Sequence, residues 1–176
     1  MKIEDLYSAF AKTVFNLALH YTQNPQDAEE ITQDVFVKLY ERQEQFKGEA
    51  SAKTYITRIA INQSLDFLRF KSRQKRGGGA KVRNLDDSQH ESALHNFKHP
   101  GYALEQKEGV AKVYAALNQL PPNQKTVIIL LKIEGHSQKE AAEIMDVGVK
   151  AIESLFQRAK RGLRTILESN EGSTFG

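Results

Sequence analysis

Between Glu4 and Tyr21, apolar side chains recur at Leu6, Phe10, Val14, Leu17 and Tyr21, the spacing of one helix face, with no Gly or Pro inside. Asn24-Pro25 stops that helix. From Asp27 to Arg42 the period resumes with Ala28, Ile31, Val35 and Leu39 on one face and Phe36 and Tyr40 beside it. Asp27, Glu29 and Glu30 then fall in a first turn, where the helix dipole favours acids. The run Phe46-Lys47-Gly48-Glu49 breaks the pattern. Ser51 or Thr54 can cap a third helix, which reaches about Arg73 with Ile56, Ile59, Ala60, Gln63, Phe67 and Phe70 inward.

After Gly77-Gly78-Gly79 the hydrophobic period vanishes until about Leu104. Leu85, Leu94 and Phe97 fit no face, and the stretch is rich in Gly, Asp, Ser, His and Asn. It is too long for an ordinary loop inside one compact domain, so it reads as a flexible tether. Beyond it, Leu104–Leu120 is helical with Val110, Val113, Leu117 and Leu120 inward, and Pro121-Pro122 ends that helix and starts the next. The apolar run Thr126–Glu134 has the β-branched content of a strand, but its Pro start and its stop at Gly135 favour a buried helix. Ser137 with Glu140 three residues on forms a capping box that opens a short helix ending at Met145. Asp146-Val147-Gly148 turns the chain into a last helix from Val149 to about Glu168, with Ile152, Phe156, Ala159 and Leu163 buried. The polar end Ser169–Gly176 reads as frayed. The expected architecture is all-α, with two small helical domains at 1–76 and 104–169, a linker at 77–103 and a tail at 170–176.

Composition narrows the function classes. The chain has 176 residues, 40% of them hydrophobic and 27% charged, which suits a folded core. It has no Cys, which excludes disulfides, Cys-ligated zinc or iron–sulfur clusters and a thiol nucleophile. No apolar run approaches the roughly 18–20 residues that span a bilayer. The acidic, amphipathic N-terminus is unlike a signal peptide, so a cytoplasmic protein without a membrane association is expected.

The net charge of +3 conceals a strong alternation. Residues 1–50 carry 5 basic and 9 acidic side chains, residues 51–83 carry 9 and 1, and residues 84–109 carry 2 and 5. Residues 110–149 balance, and 150–176 are weakly basic. From Arg69 to Arg83 there are seven basic residues and no acid, the footprint of a polyanion binder or of a solvated tail.

A second signal decides between them. The segment Gly135–Val149 places Ala141, Ala142 and Ile144 on a short capped helix, followed by a tight turn and a longer helix. Small residues let two such helices cross closely, which is the helix-turn-helix arrangement. Its second helix would lie in the DNA major groove, presenting Lys150, Ser154, Gln157, Arg161 and Arg164. The third helix carries a similar stripe, Arg58, Asn62, Asp66, Arg69 and Arg73, with Tyr55 near its start. Cations that track phosphates, an Asn that can bond a base edge and an aromatic beside a loop suit single-stranded DNA. Asp27, Glu30 and Asp34 share a helix face, but no His, Lys or Ser motif accompanies them. His90, His95 and His99 lie in the tether without a ligand pattern. No metal, cofactor or catalytic residue is expected, and no nucleotide-binding or hydrolase motif is present.

Asp27–Phe36, Phe46–Ser51, Tyr55–Asn62 and Asp66–Arg69 together resemble region two of bacterial sigma factors of the extracytoplasmic-function group, in the sigma-70 family. Leu120–Gln124, Gly135–Ser137 and Ala142–Ile144 resemble region four, in the same order and across a similar tether. The resemblance implies a role for each stripe. Gln33, Asp34, Val37, Lys38, Tyr40 and Glu41 would bind core RNA polymerase. Lys47, Ser51, Lys53, Tyr55, Arg58, Asn62, Asp66, Arg69 and Arg73 would hold the melted minus-ten element of promoter DNA, with a base extruded and captured. Ser137, Gln138, Lys150, Ser154, Gln157, Arg158 and Arg161 would read the minus-thirty-five element as duplex. An anti-sigma or delivery protein is a further implied partner. The tether's reach, up to roughly 90 Å extended, exceeds the roughly 70 Å of two DNA turns.

Five positions depart from the family pattern. Ala151, Glu153 and Leu155 stand where it usually has Thr, Lys and Arg, so weakened minus-thirty-five reading is expected. Tyr55 replaces the usual Trp and keeps a stacking surface. Gly148 stands where a Ser or Thr cap is common. Two rival readings make different predictions: a stand-alone helix-turn-helix regulator would bind duplex tightly without polymerase. A metal-dependent nuclease built on Asp27, Glu30 and Asp34 would lose activity on Asp34→Ala.

Overall fold

The computed structural model describes residues 2–42, 51–77 and 104–172, with side chains from residue 108 in the last segment. The chain divides into two compact units, Met1–Ala93 and Leu94–Gly176.

In the first unit, α1 (Ile3–Thr22), α2 (Pro25–Glu41) and α3 (Ala52–Arg76) pack on one another in all three pairings. The turn between α1 and α2 is built from local chemistry. Gln23 takes a left-handed conformation, φ 47°, and its amide donates to the Leu19 carbonyl. Asn24 then caps α2, its Oδ1 accepting from the amides of Gln26 and Asp27 at 2.9 and 3.1 Å, and Pro25 supplies the first helical residue. The helix thus begins two residues earlier than its hydrophobic period suggests. Of the expected first-turn acids only Asp27 sits there.

Val14, Leu17, Tyr21, Ala28, Ile31, Val35, Ile56 and Ala60 are buried between the three helices. Ser64, also fully buried, donates its hydroxyl to the Ala60 carbonyl at 2.8 Å, so its burial leaves no unmet polar group. Ser51, not Thr54, caps α3. Its Oγ accepts from the Thr54 amide at 3.1 Å.

Phe70 corrects the expected inward face of α3, because it is 58% exposed. The packed pair has not ended at that level, because the next residue, Lys71, still reaches Asp27 of α2, so Phe70 is exposed beside the packed face and not beyond it. Residues 73–77 are all exposed.

The second unit comprises α4 (Leu104–Leu117), α5 (Pro122–Ile128) continued by a π turn (Ile129–Ile133), α6 (Gln138–Met145) and α7 (Val149–Gly172). The helical reading of Thr126–Glu134 holds over its strand-like composition, with one feature the period does not encode. The Glu134 amide reaches five residues back to the Ile129 carbonyl at 2.8 Å, the bond of a π turn. Leu117, Val127, Ile129, Leu130, Ala141, Ile144, Ile152 and Ala159 form the core.

Two expected inward residues, Val110 and Val113, are instead 38% and 40% exposed, and Tyr114 and Ala116 take their place. Three-residue spacings admit two neighbouring faces, and only packing against α7 selects one. Helix α4 stops at Leu117, three residues short of the expected end, while α7 continues to Gly172 rather than fraying from Ser169.

Candidate nucleic-acid interface

The helix-turn-helix is assembled by two local devices. Ser137 Oγ accepts from the Glu140 amide at 3.1 Å while Glu140 Oε2 accepts from the Ser137 amide at 2.7 Å, completing the capping box read in the sequence. At the other end of α6, Asp146 adopts φ 56° and the Val147 amide bonds back to the Ala142 carbonyl at 3.1 Å, the bond pattern of a Schellman turn. The left-handed residue of this turn is therefore Asp146 and not a glycine. Gly148 follows and its carbonyl accepts from Ile152. Gly135, φ 74°, provides the left-handed residue before α6.

On α7 the outward stripe Lys150, Ser154, Gln157, Arg161 and Arg164 is exposed throughout, with Arg158 beside it, Nε toward the Ser154 carbonyl at 3.4 Å. Gln138 is exposed at the start of α6, whereas the Ser137 hydroxyl is committed to its cap. Glu153 is exposed on α7 as well.

On α3, Ser51, Lys53, Asn62, Asp66, Arg69 and Arg73 are exposed, and Tyr55 and Arg58 are half-buried. Asp66 accepts from Arg69 Nη1 at 3.0 Å, so the one acid of this stripe partly neutralises one of its cations. Phe70 is exposed towards the same end of α3, which its helical period, shared with the inward residues, does not indicate. Lys47 lies outside the described residues.

On α2, Gln33, Asp34, Val37, Tyr40 and Glu41 form an exposed strip in which two apolar residues are prominent, Val37 at 56% and Tyr40 at 65%. Exposed apolar side chains amid acids suit a protein partner more than DNA. Lys38 differs from the rest of its set, being half-buried with its ammonium bonded to Gln63 Oε1 of α3. Gln63, expected in the core, is thus an inter-helix tie.

Asp27 of the acidic triplet is bound by Lys71. Among the described residues no cluster of three His, Asp or Glu is arranged to hold a metal ion. His90, His95 and His99 lie outside them. No helix among the described residues is long and apolar enough to cross a membrane.

Two perturbed groups, absent from the sequence-level candidates, lie in the second unit. Burial lowers the Lys125 ammonium to about 8, where Nζ also donates to Asn118 Oδ1 at 2.7 Å. Burial, with Glu134 adding repulsion, raises the Tyr114 hydroxyl to about 12. Both belong to the core side of the unit, away from the exposed stripe of α7.

Residues 6–74 match the family model described as Sigma-70 region 2, and residues 111–163 match that described as Sigma-70, region 4. The chain is 25% identical over 155 residues to the RNA polymerase sigma-H factor of Pseudomonas aeruginosa, covering 88% of this chain and 80% of that protein. It is 28% identical over 155 residues to the ECF RNA polymerase sigma-E factor of Haemophilus influenzae, covering 88% and 82%. Among solved structures, its fold is similar to that of the sigma factor RpoE, in complex with the anti-sigma factor NepR, from Bartonella quintana. The TM-score is 0.68 at 22% identity, over 94% of this chain and 96% of that one.

Proposed function

The chain belongs to the sigma-70 family, in its extracytoplasmic-function group, and is a transcription initiation factor; we propose that it joins core RNA polymerase to promoter DNA through three separate exposed faces. The observation that supports this best is the occurrence in one chain, in this order, of both sigma regions with an exposed stripe on each of α2, α3 and α7. The α2 strip of Gln33, Asp34, Val37, Tyr40 and Glu41 docks on the polymerase, with Lys38 acting from the edge through its tie to Gln63. The α3 face around Tyr55, Arg58 and Asn62, flanked by Arg69 and Arg73, holds the melted minus-ten strand. Helix α7 lies on minus-thirty-five duplex.

Sigma factors are non-enzymatic, and the energy this chain supplies is that of binding, spent on strand opening and base capture. We assign it no catalytic residue and place it in the cytoplasm with the polymerase. A stand-alone regulator is not favoured, since it gives no reason for the region 2 match.

Glu153 makes the duplex contact weak. An exposed carboxylate on α7 repels phosphates and removes one cation from the counterion-release term. Promoter choice then rests mainly on the first unit or on a delivery partner. An anti-sigma protein, such as the one bound to the RpoE relative, is the expected regulator.

Run-off transcription with purified core polymerase tests the main reading. Specific initiation that depends on this protein is expected. Its absence on every genomic template, with and without cell extract to supply a delivery partner, would overturn it.

A further inference from the structure

Lys132 and Lys160 come from different elements yet converge on one ring. Lys132 Nζ lies 5.5 Å from the centre of the Phe156 ring, and Lys160 Nζ lies 4.8 Å from it. The two ammonium groups are therefore within about 10 Å of each other, each attracted to the ring's quadrupole. Among the described residues neither has an acidic partner. The ring itself is well placed to hold them. Phe156 is half-buried on the helix face it shares with Ile152 and Ala159, both fully buried, so its position is set by the core.

Lys132 is delivered by the π turn Ile129–Ile133. Short π segments within helices recur at functional sites, because the extra residue redirects the side chains that follow. At the helical pitch, Phe156 and Lys160 follow Glu153 by three and seven residues, along the same edge of α7. Arg158 lies on the opposite edge of the Lys150–Ser154–Gln157–Arg161 stripe. A helix seated in the major groove has one phosphate strand along each edge.

The geometry points to a phosphate-binding site: Lys132 and Lys160, held over Phe156, grip the DNA backbone along the edge of α7 that carries Glu153. This rests on the reading of α7 as a duplex-facing helix. It gives that edge two fixed cations beside the acid, one of them from outside the helix-turn-helix. Lysines pre-positioned on a ring lose less freedom on binding than free ones, so the contact persists where Glu153 opposes it.

Phosphate contacts are independent of sequence, so the test needs no promoter. The full-length protein is titrated onto a random duplex of about 30 base pairs between about 50 and 200 mM salt, and the slope of log affinity on log salt is measured. Lys132→Ala with Lys160→Ala should lower the slope by about 1 to 2, Arg161→Ala by about 1, and Lys112→Ala, at an exposed position of α4, not at all. Phe156→Leu keeps an apolar side chain but removes the ring, and affinity should fall about two- to five-fold. Thermal melting of each variant confirms that it is folded. If the double variant keeps the wild-type slope while Arg161→Ala lowers it, the clamp is wrong and the duplex reading of α7 stands. If Arg161→Ala also keeps the slope, the duplex reading fails and the clamp with it. Unchanged affinity in Phe156→Leu would remove the ring from the site.

Discussion

Asp27, in the first turn of α2, and Lys71, near the end of α3, form an ion pair of 2.5 Å across 44 residues of sequence. Lys71 also lies 5.2 Å from the centre of the Phe67 ring. With the Lys38–Gln63 bond at the other end of α2, it fixes an antiparallel α2–α3 pair. The helix assigned to polymerase and the helix assigned to melted DNA are thereby held in register. The pair also occupies the carboxylate on which a metal site would depend. Both side chains are partly buried, so a double-mutant cycle of Asp27→Ala and Lys71→Ala should give a coupling near 1 kcal/mol, above the median for exposed pairs. A coupling near zero, read from urea midpoints, would mean that the apolar faces alone set the register.

Glu153→Lys should restore the cation that family members usually carry. It removes a repulsion and adds a phosphate contact, so duplex affinity rises and the salt slope steepens by about 1. Filter binding of the full-length chain at several salt concentrations checks this. An unchanged slope would mean that Glu153 faces away from DNA.

Lys125 and Tyr114 give the second unit a defined response to alkali. Folded Lys125 loses its proton near pH 8, whereas in the unfolded chain it keeps it to about 10.5. The unfolded state therefore binds more protons between these values, and stability rises with pH across them by on the order of 3 kcal/mol. Folded Tyr114 keeps its proton to about 12 while the unfolded group ionises near 10, so stability falls through that upper window. The melting temperature of the second unit should peak near pH 10. Lys125→Met should flatten the rise between pH 8 and 10, and a variant with the same slope as wild type in that window would refute the assignment.

Backbone demands in the second unit predict opposite outcomes at two positions. Asp146 occupies a left-handed conformation that costs a non-glycine residue about 1 kcal/mol, so Asp146→Gly should stabilise by up to that amount. Gly162 lets α7 approach Leu120, whose Cδ2 is 3.0 Å from the point where a β-carbon would stand. Gly162→Val should therefore destabilise by about 1–3 kcal/mol despite valine's better helix propensity. Calorimetry of the two variants separates the signs.

Sequence alone determined whatever depends on neighbours along the chain. The 3.6-residue period placed most helices, the Ser137–Glu140 spacing predicted a capping box, and Gly135 marked a stop, because each is satisfied within a few residues. The exposed stripes of α3 and α7 were legible for the same reason, since a polar face opposite an apolar one needs no knowledge of the partner. Tertiary structure decided which of two adjacent faces is buried on α4, where Tyr114 and not Val113 packs inward. It exposed Phe70 and buried Lys125. It also brought Lys38 to Gln63, Asp27 to Lys71 and Lys132 to Phe156. These pairings join distant segments, and they depend on helix lengths, register and a π turn that no local pattern encodes.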